Sequence, residues 1–91
     1  ALVVTAGNSN VFTGKAGRET CKATAAAMAE LAGCKPSDVF LASTGVIGEK
    51  LPTEKLTAAL PGVFGALAED RWPAAARAIM TTDTFPKAAT R

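Results

Sequence analysis

The sequence predicts an α/β fold that opens on a βαβ unit, and three observations carry that prediction. Leu2 to Ala6 and Val39-Phe40-Leu41-Ala42 are short continuous apolar runs, each closed by turn-forming residues. Between them Cys21, Ala25, Met28, Leu31 and Ala32 recur at offsets of three and four, the spacing of one helix face. Strand, helix and strand in that order imply two parallel strands joined by a right-handed crossover. The strands are expected over about residues 1–6 and 39–43, with the helix over about 16–32.

Each element has its own local reason. Gly7-Asn8-Ser9-Asn10 follows the first apolar run and reads as a loop at the strand's C-terminal end. The helical pattern begins after Thr13-Gly14 and stops at Gly33, the natural residue just past a helix end. Pro36-Ser37 supplies a turn, and the second strand runs into Ser43-Thr44-Gly45. Downstream, Pro52-Thr53-Glu54 starts a helix with proline early and an acid in the first turn. Leu56, Leu60, Val63, Phe64 and Leu67 continue its face, but Pro61-Gly62 interrupts the pattern, so two short helices or a break are expected there. Asp70-Arg71-Trp72-Pro73 punctuates again, and Trp72, Ala76, Ile79 and Met80 line a further short amphipathic helix. Thr81-Thr82-Asp83-Thr84 reads as a turn or cap, and Phe85-Pro86-Lys87 opens a final extended segment.

Composition narrows the chemistry. Ninety-one residues make one domain at most, and a chain of this size buries only about 60–65% of the surface its unfolded form exposes. Of its 44 hydrophobic residues 20 are alanine, so the apolar core is thinner than the 48% hydrophobic content suggests. There is no histidine, which removes Ser-His and Cys-His catalytic pairs and the commonest metal ligand. Tyrosine is also absent. A net charge of +2, without runs of like charge and with little aromatic interleaving, gives no support to nucleic-acid binding. Cys21 and Cys34 have neither C-x-x-C spacing nor flanking histidine, and read as reduced structural thiols of a cytoplasmic protein. No apolar run has the roughly 18 residues of a membrane span. Ala1-Leu2-Val3-Val4 enters in mid-strand, as a truncated or processed N-terminus would, and a targeting segment could have preceded it.

In a parallel pair the loops after both strands share one edge, so residues 7–10 and 43–49 should lie near each other, where open α/β sheets bind ligands. Ordinary glycine-bearing connections would look the same. Neither G-x-G-x-x-G nor a P-loop is present, since Gly14-Lys15 lacks the upstream glycine and the following Ser or Thr. The Thr44-Gly45 step is more suggestive: at a strand end it can aim one hydroxyl and one backbone N–H into the same small space, the two donors that a developing oxyanion needs. Spacing alone does not separate that from a plain turn. Thr5, Thr13, Thr44 and Thr81 to Thr84 are nucleophiles only with a base. Without histidine the remaining route for threonine is its own α-amino group after chain cleavage, whereas the chain begins with Ala1. If it belongs to an enzyme, it is the scaffold and the part that binds the electrophile.

Three blocks now combine. Ala6-Gly7-Asn8-Ser9-Asn10-Val11-Phe12-Thr13-Gly14, then Ser43-Thr44-Gly45-Val46-Ile47-Gly48-Glu49 with Leu51-Pro52, then Ala78-Ile79-Met80-Thr81-Thr82-Asp83-Thr84 with Pro86-Lys87, resemble successive blocks of the ornithine acetyltransferase family. The resemblance covers essentially all 91 residues. Members are bifunctional glutamate N-acetyltransferases of arginine biosynthesis. The resemblance implies an internal piece of the α chain, 1–91, within a larger α/β fold and inactive alone. It implies a precursor that cuts itself before a threonine, which becomes the N-terminal nucleophile of a β chain. N-acetylornithine would acylate that threonine, and glutamate would take the acetyl group; acetyl-CoA serves some members as donor, and no bound cofactor is expected. Partners would be the rest of the α chain and the β chain, in a hetero-oligomer. By position, Thr44 and Gly45 match the family's oxyanion pair, through the hydroxyl and the backbone N–H respectively. Family members commonly carry Asn where Thr5 stands, and their Lys-Gly segment and Ala-Thr cleavage site would fall beyond Arg91. No role is assigned to Asp83 or Lys87. The alternatives are a paralogous acyltransferase of another pathway and a small non-catalytic α/β ligand-binding or interaction domain.

Overall fold

A computed structural model describes residues 1–91. Strand β1 spans Leu2–Asn8, helix α1 Gly14–Ala32, a 3-10 turn Pro36–Asp38, strand β2 Phe40–Val46, helix α2 Thr53–Gly65 and helix α3 Trp72–Ala78. The strands are parallel and in register from Leu2 opposite Phe40 to Asn8 opposite Val46, as the βαβ pattern predicts. Both run further than their apolar runs. Gly7 and Asn8, read from sequence as loop, belong to the ladder, as do Thr44, Gly45 and Val46. The turn formers lengthen the strands because they pair with each other. Gly7 and Gly45 sit opposite one another with φ of 117° and 127°, a conformation that residues with a Cβ rarely adopt.

Helix α1 crosses one face of the sheet and ends at Gly33, whose φ of 68° is left-handed; its N–H and that of Cys34 both reach the Ala29 carbonyl. The face it buries matches the expected one only at Met28. Gly17, Thr20, Thr24, Met28 and Ala29 are buried, whereas Cys21, Ala25 and Leu31 flank them at intermediate exposure and Ala32 is exposed. The apolar periodicity missed both threonines because it counts them as polar; Thr20 meets its polarity locally, its hydroxyl lying 3.0 Å from the Ala16 carbonyl and 2.6 Å from the Thr53 hydroxyl of α2, whereas the Thr24 hydroxyl is buried without a partner. Small residues and threonines let α2 come close to α1.

Helix α2 continues through Pro61 as one helix of 13 residues, contrary to the expected break. Proline removes one donor, but Leu60 beside it is 4% exposed and is one of only three buried apolar residues, with Met28 and Ala29. Burying that side chain, worth about 2 kcal/mol, holds the turn that the missing N–H weakens. Helix α3 buries nothing, and Trp72 at its start is 74% exposed. Residues 79–91 form no helix or strand. On the sheet face away from α1, Leu2, Val4 and Phe40 are exposed. No helix is long and apolar enough to cross a membrane.

Candidate functional site

The two loops at the C-terminal edge of the sheet do meet. The Ser9 N–H donates to the Val46 carbonyl at 2.8 Å, and the Gly48 N–H to the Val11 carbonyl at 3.0 Å. The Asn8 side-chain amide reaches the Lys50 carbonyl at 3.0 Å, and the Asn10 N–H donates to the Ser43 hydroxyl at 2.8 Å. Four bonds thus fasten the end of β1 and the segment after it to the end of β2 and the loop beyond it.

Asn10 ties this edge to α1. Its side-chain amide donates to the Gly17 carbonyl at 3.1 Å and to Cys21 Sγ at 3.0 Å, and it accepts from the Thr13 hydroxyl. Gly17 is what lets the loop lie so close, since a Cβ there would collide with Thr13 Oγ1 and Asn10 Oδ1. Sequence reading treated Asn10 only as a turn former; the spacing of Asn10, Thr13 and Gly17 ahead of the helix was the available signal. Cys21 and Cys34 are both free thiols of intermediate exposure.

Thr44 and Gly45 lie within β2, opposite Ala6 and Gly7, and not in the loop that follows. Ser43 points to the α1 side, where it meets Asn10, so Thr44, next along the strand, faces the other way. Its hydroxyl is half-exposed and has no hydrogen-bond partner within the chain. Gly45 tolerates no side chain, because a Cβ would collide with the Gly7 carbonyl. Backbone therefore approaches backbone at this point, and an unengaged hydroxyl sits beside it. Such a pair can offer an O–H and an N–H to a single oxygen atom.

Beneath α1, an open cavity of about 200 Å³ is lined by Thr5, Asn10, Thr20, Cys21, Thr24 and Ser43 together with apolar residues of both strands, of α2 and of the segment leading into it. The hydroxyls of Thr5 and Thr24 are buried there without partners. The Thr81 to Thr84 cluster forms a turn, as read: Asp83 accepts from the Thr81 N–H at 3.3 Å and from Lys87 Nζ at 2.6 Å. Those two bonds, the lysine's foremost, hold the Asp83 carboxyl below its ordinary value of 3.8. Lys87 also lies 4.8 Å from the centre of the Phe85 ring. No group of three or more His, Cys, Asp or Glu side chains is placed to hold a metal ion.

With this geometry in place, comparison with known proteins is specific. The ArgJ family profile matches residues 1–91. The chain is 64% identical over 91 residues to the arginine biosynthesis bifunctional protein ArgJ of Gluconobacter oxydans, covering all of this chain and 22% of that protein. It is 60% identical over 90 residues to the protein of the same name from Nitrobacter winogradskyi, covering 99% and 22%. Among solved structures, the ornithine acetyltransferase of Mycobacterium tuberculosis, complexed with ornithine, superposes with a TM-score of 0.78 at 35% identity, covering 93% of this chain and 48% of that one. The arginine biosynthesis bifunctional protein of Bacillus halodurans gives 0.76 at 33% identity, covering 91% and 44%. The chain thus spans about a fifth of the length of the curated relatives it matches.

Proposed function

Because the chain belongs to the ArgJ family over all of its 91 residues, we propose that it is part of a glutamate N-acetyltransferase of arginine biosynthesis, in which Thr44 and Gly45 hold the oxyanion. The observation that carries this reading is the unpartnered Thr44 hydroxyl beside Gly45, at an edge where four hydrogen bonds fasten the strand ends and the loops after them. The chain's own chemistry agrees, since it holds no histidine to act as base for a hydroxyl nucleophile. The nucleophile belongs to another segment: a threonine at a new N-terminus, whose α-amino group serves as base.

The steps follow from that division. The threonine hydroxyl loses its proton to its α-amino group and attacks the acetyl carbon of N-acetylornithine. The carbonyl oxygen becomes an oxyanion, accepting from Thr44 Oγ1–H and the Gly45 N–H. The C–N bond then breaks, the proton passes to the departing amine, and ornithine leaves an acetyl ester on the threonine. The amine of glutamate attacks that ester through a second oxyanion in the same place, giving N-acetylglutamate and the free hydroxyl. Acetyl-CoA can enter as an alternative donor at the first step.

Length supports a divided polypeptide. The chain spans 22% of the curated relatives but 44% and 48% of the chains in the two solved structures, which are therefore about half as long. The partners are then the rest of the α chain and a β chain that begins with the nucleophile, in a cytoplasmic hetero-oligomer. The test is Thr44→Ala in the full-length protein, assayed for acetyl transfer from N-acetylornithine to glutamate. Loss of one preorganised donor should lower kcat by about 10²–10³, roughly 3 kcal/mol, with Thr44→Ser restoring most of it. Undiminished transfer by Thr44→Ala would remove the assigned role.

A further inference from the structure

Three hydroxyls beneath α1 are short of partners. Those of Thr5 and Thr24 are buried and bonded to nothing, and Thr24 is 3% exposed. The Ser43 hydroxyl accepts from the Asn10 N–H at 2.8 Å, which leaves its own proton free to donate. Stranded hydroxyls are costly, and a native structure rarely keeps them without a use. All three line the cavity of about 200 Å³, and so does Cys21. Cys21 precedes Thr24 by three residues, so the two share one side of α1. The Asn10 side-chain amide donates to Cys21 Sγ at 3.0 Å and holds the sulfur at the cavity wall. A thiol is a weak donor and a weak acceptor, too poor a partner for the hydroxyls around it. An oxygen atom carried on that sulfur would be a good one.

We infer that Cys21 is a site of reversible oxidation by hydrogen peroxide, and that the stranded hydroxyls hold the sulfenic acid it forms. The cavity has several times the volume of about 30 Å³ that one water takes up, so a molecule of two oxygen atoms enters it. Sγ attacks one peroxide oxygen, the O–O bond breaks and an S–O bond forms. The thiol proton leaves with the second oxygen as water; sulfur gives up two electrons and the peroxide takes them. The new oxygen then accepts from the Thr24 hydroxyl and its neighbours, which gives those groups the partner they lack. A sulfenic acid is ordinarily consumed by a second thiol or oxidised further. Cys34 does not line the cavity. It lies beyond the far end of α1, which rises about 16 Å from Cys21 to Ala32, whereas a disulfide needs Cα atoms within about 7 Å. Reduction therefore falls to a small thiol from solution. One such thiol forms a mixed disulfide with loss of water, and a second releases the Cys21 thiol.

The test treats the full-length protein with hydrogen peroxide, then unfolds it in urea containing dimedone, which caps sulfenic acids. Peptide mass spectrometry reads the capped fraction at Cys21 and at Cys34. Wild type, Thr24→Val and Thr24→Ser are run side by side; valine keeps the shape of threonine, so the fold is not at stake. The capped fraction at Cys21 should exceed that at Cys34 by about threefold or more, the worth of one net hydrogen bond. Thr24→Val should bring Cys21 down toward the Cys34 level without changing Cys34, and Thr24→Ser, which keeps the hydroxyl, should retain the excess. Dithiothreitol added before unfolding should return Cys21 to the free thiol. A Cys21 that stays reduced at a dose that oxidises Cys34 overturns the inference. So does a capped fraction equal in wild type and Thr24→Val, or passage of Cys21 straight to the sulfonic acid, since either means that the hydroxyls hold nothing.

Discussion

Replacing Gly17 with alanine sets two effects of opposite sign against each other. Alanine in a helix is favoured over glycine by up to about 1 kcal/mol, and Gly17 lies in the first turns of α1. Propensity alone therefore predicts stabilisation. The structure predicts the reverse, because the added Cβ would collide with both Thr13 Oγ1 and Asn10 Oδ1. Both side chains would have to move, and Asn10 would lose the bond it accepts from Thr13 and those it donates to the Gly17 carbonyl and Cys21 Sγ. At about 1 kcal/mol for each of the two bonds between nitrogen or oxygen atoms, and less for the sulfur contact, the loss is about 2–3 kcal/mol. The net expectation is destabilisation by about 1–2 kcal/mol. Urea unfolding of the full-length protein measures it, and the same substitution in an Asn10→Ala background completes a double-mutant cycle. The cost should shrink in that background, where the network is already gone. Stabilisation by Gly17→Ala, or an identical cost in both backgrounds, refutes the role given to Asn10.

Two further outcomes follow from groups the catalytic reading does not use. Thr24 is 3% exposed and its hydroxyl has no partner, so Thr24→Val, which keeps the shape and removes the stranded oxygen, should stabilise the full-length protein by about 1 kcal/mol in urea unfolding. A loss of stability would show that the hydroxyl is bonded after all. Asp83 has a folded-state pKa lowered first by the Lys87 hydrogen bond and then by the Thr81 N–H. A depressed carboxyl stabilises the turn above its unfolded value, and that contribution is lost as pH falls through the folded value. Carboxyl carbon NMR should place the Asp83 titration below 3.8, and Lys87→Met should move it upward. An unchanged midpoint in that variant would refute the ion pair as the main cause.

Much of the fold was legible because it rests on signals the sequence states openly: two apolar runs, an intervening helical period and a glycine stop at Gly33. What misled was where polarity stands in for apolarity. Thr20 and Thr24 face inward, but a hydropathy period assigns them outward, since it registers neither the Thr20 hydroxyl bonded back to its own helix nor the Thr24 hydroxyl buried without a partner. Pro61 read as a break because its cost is local and visible, whereas the burial of Leu60 that outweighs it is a tertiary fact. At the candidate site, the meeting of the two loops followed from parallel topology alone. The part played by Asn10 did not, because it depends on Gly17 and Ser43 arriving from other elements.

The correction to the strand ends bears most directly on mechanism. Thr44 and Gly45 were expected at the mouth of a loop, where thermal motion would blur two donors aimed at one atom. They lie instead inside a parallel ladder that continues to Val46, opposite a glycine whose carbonyl fills the place a Gly45 side chain would take. An oxyanion hole acts through donors fixed before the charge develops, so that no reorganisation is needed as it appears. Holding the proposed pair in a strand, with the neighbouring loop fastened by Asn10 to Ser43, supplies that rigidity from the chain's own hydrogen bonds. Gly17→Ala should therefore cost activity as well as stability, and its effect should fall on kcat more than on KM, since loosening the donors weakens what they do for the transition state more than substrate binding.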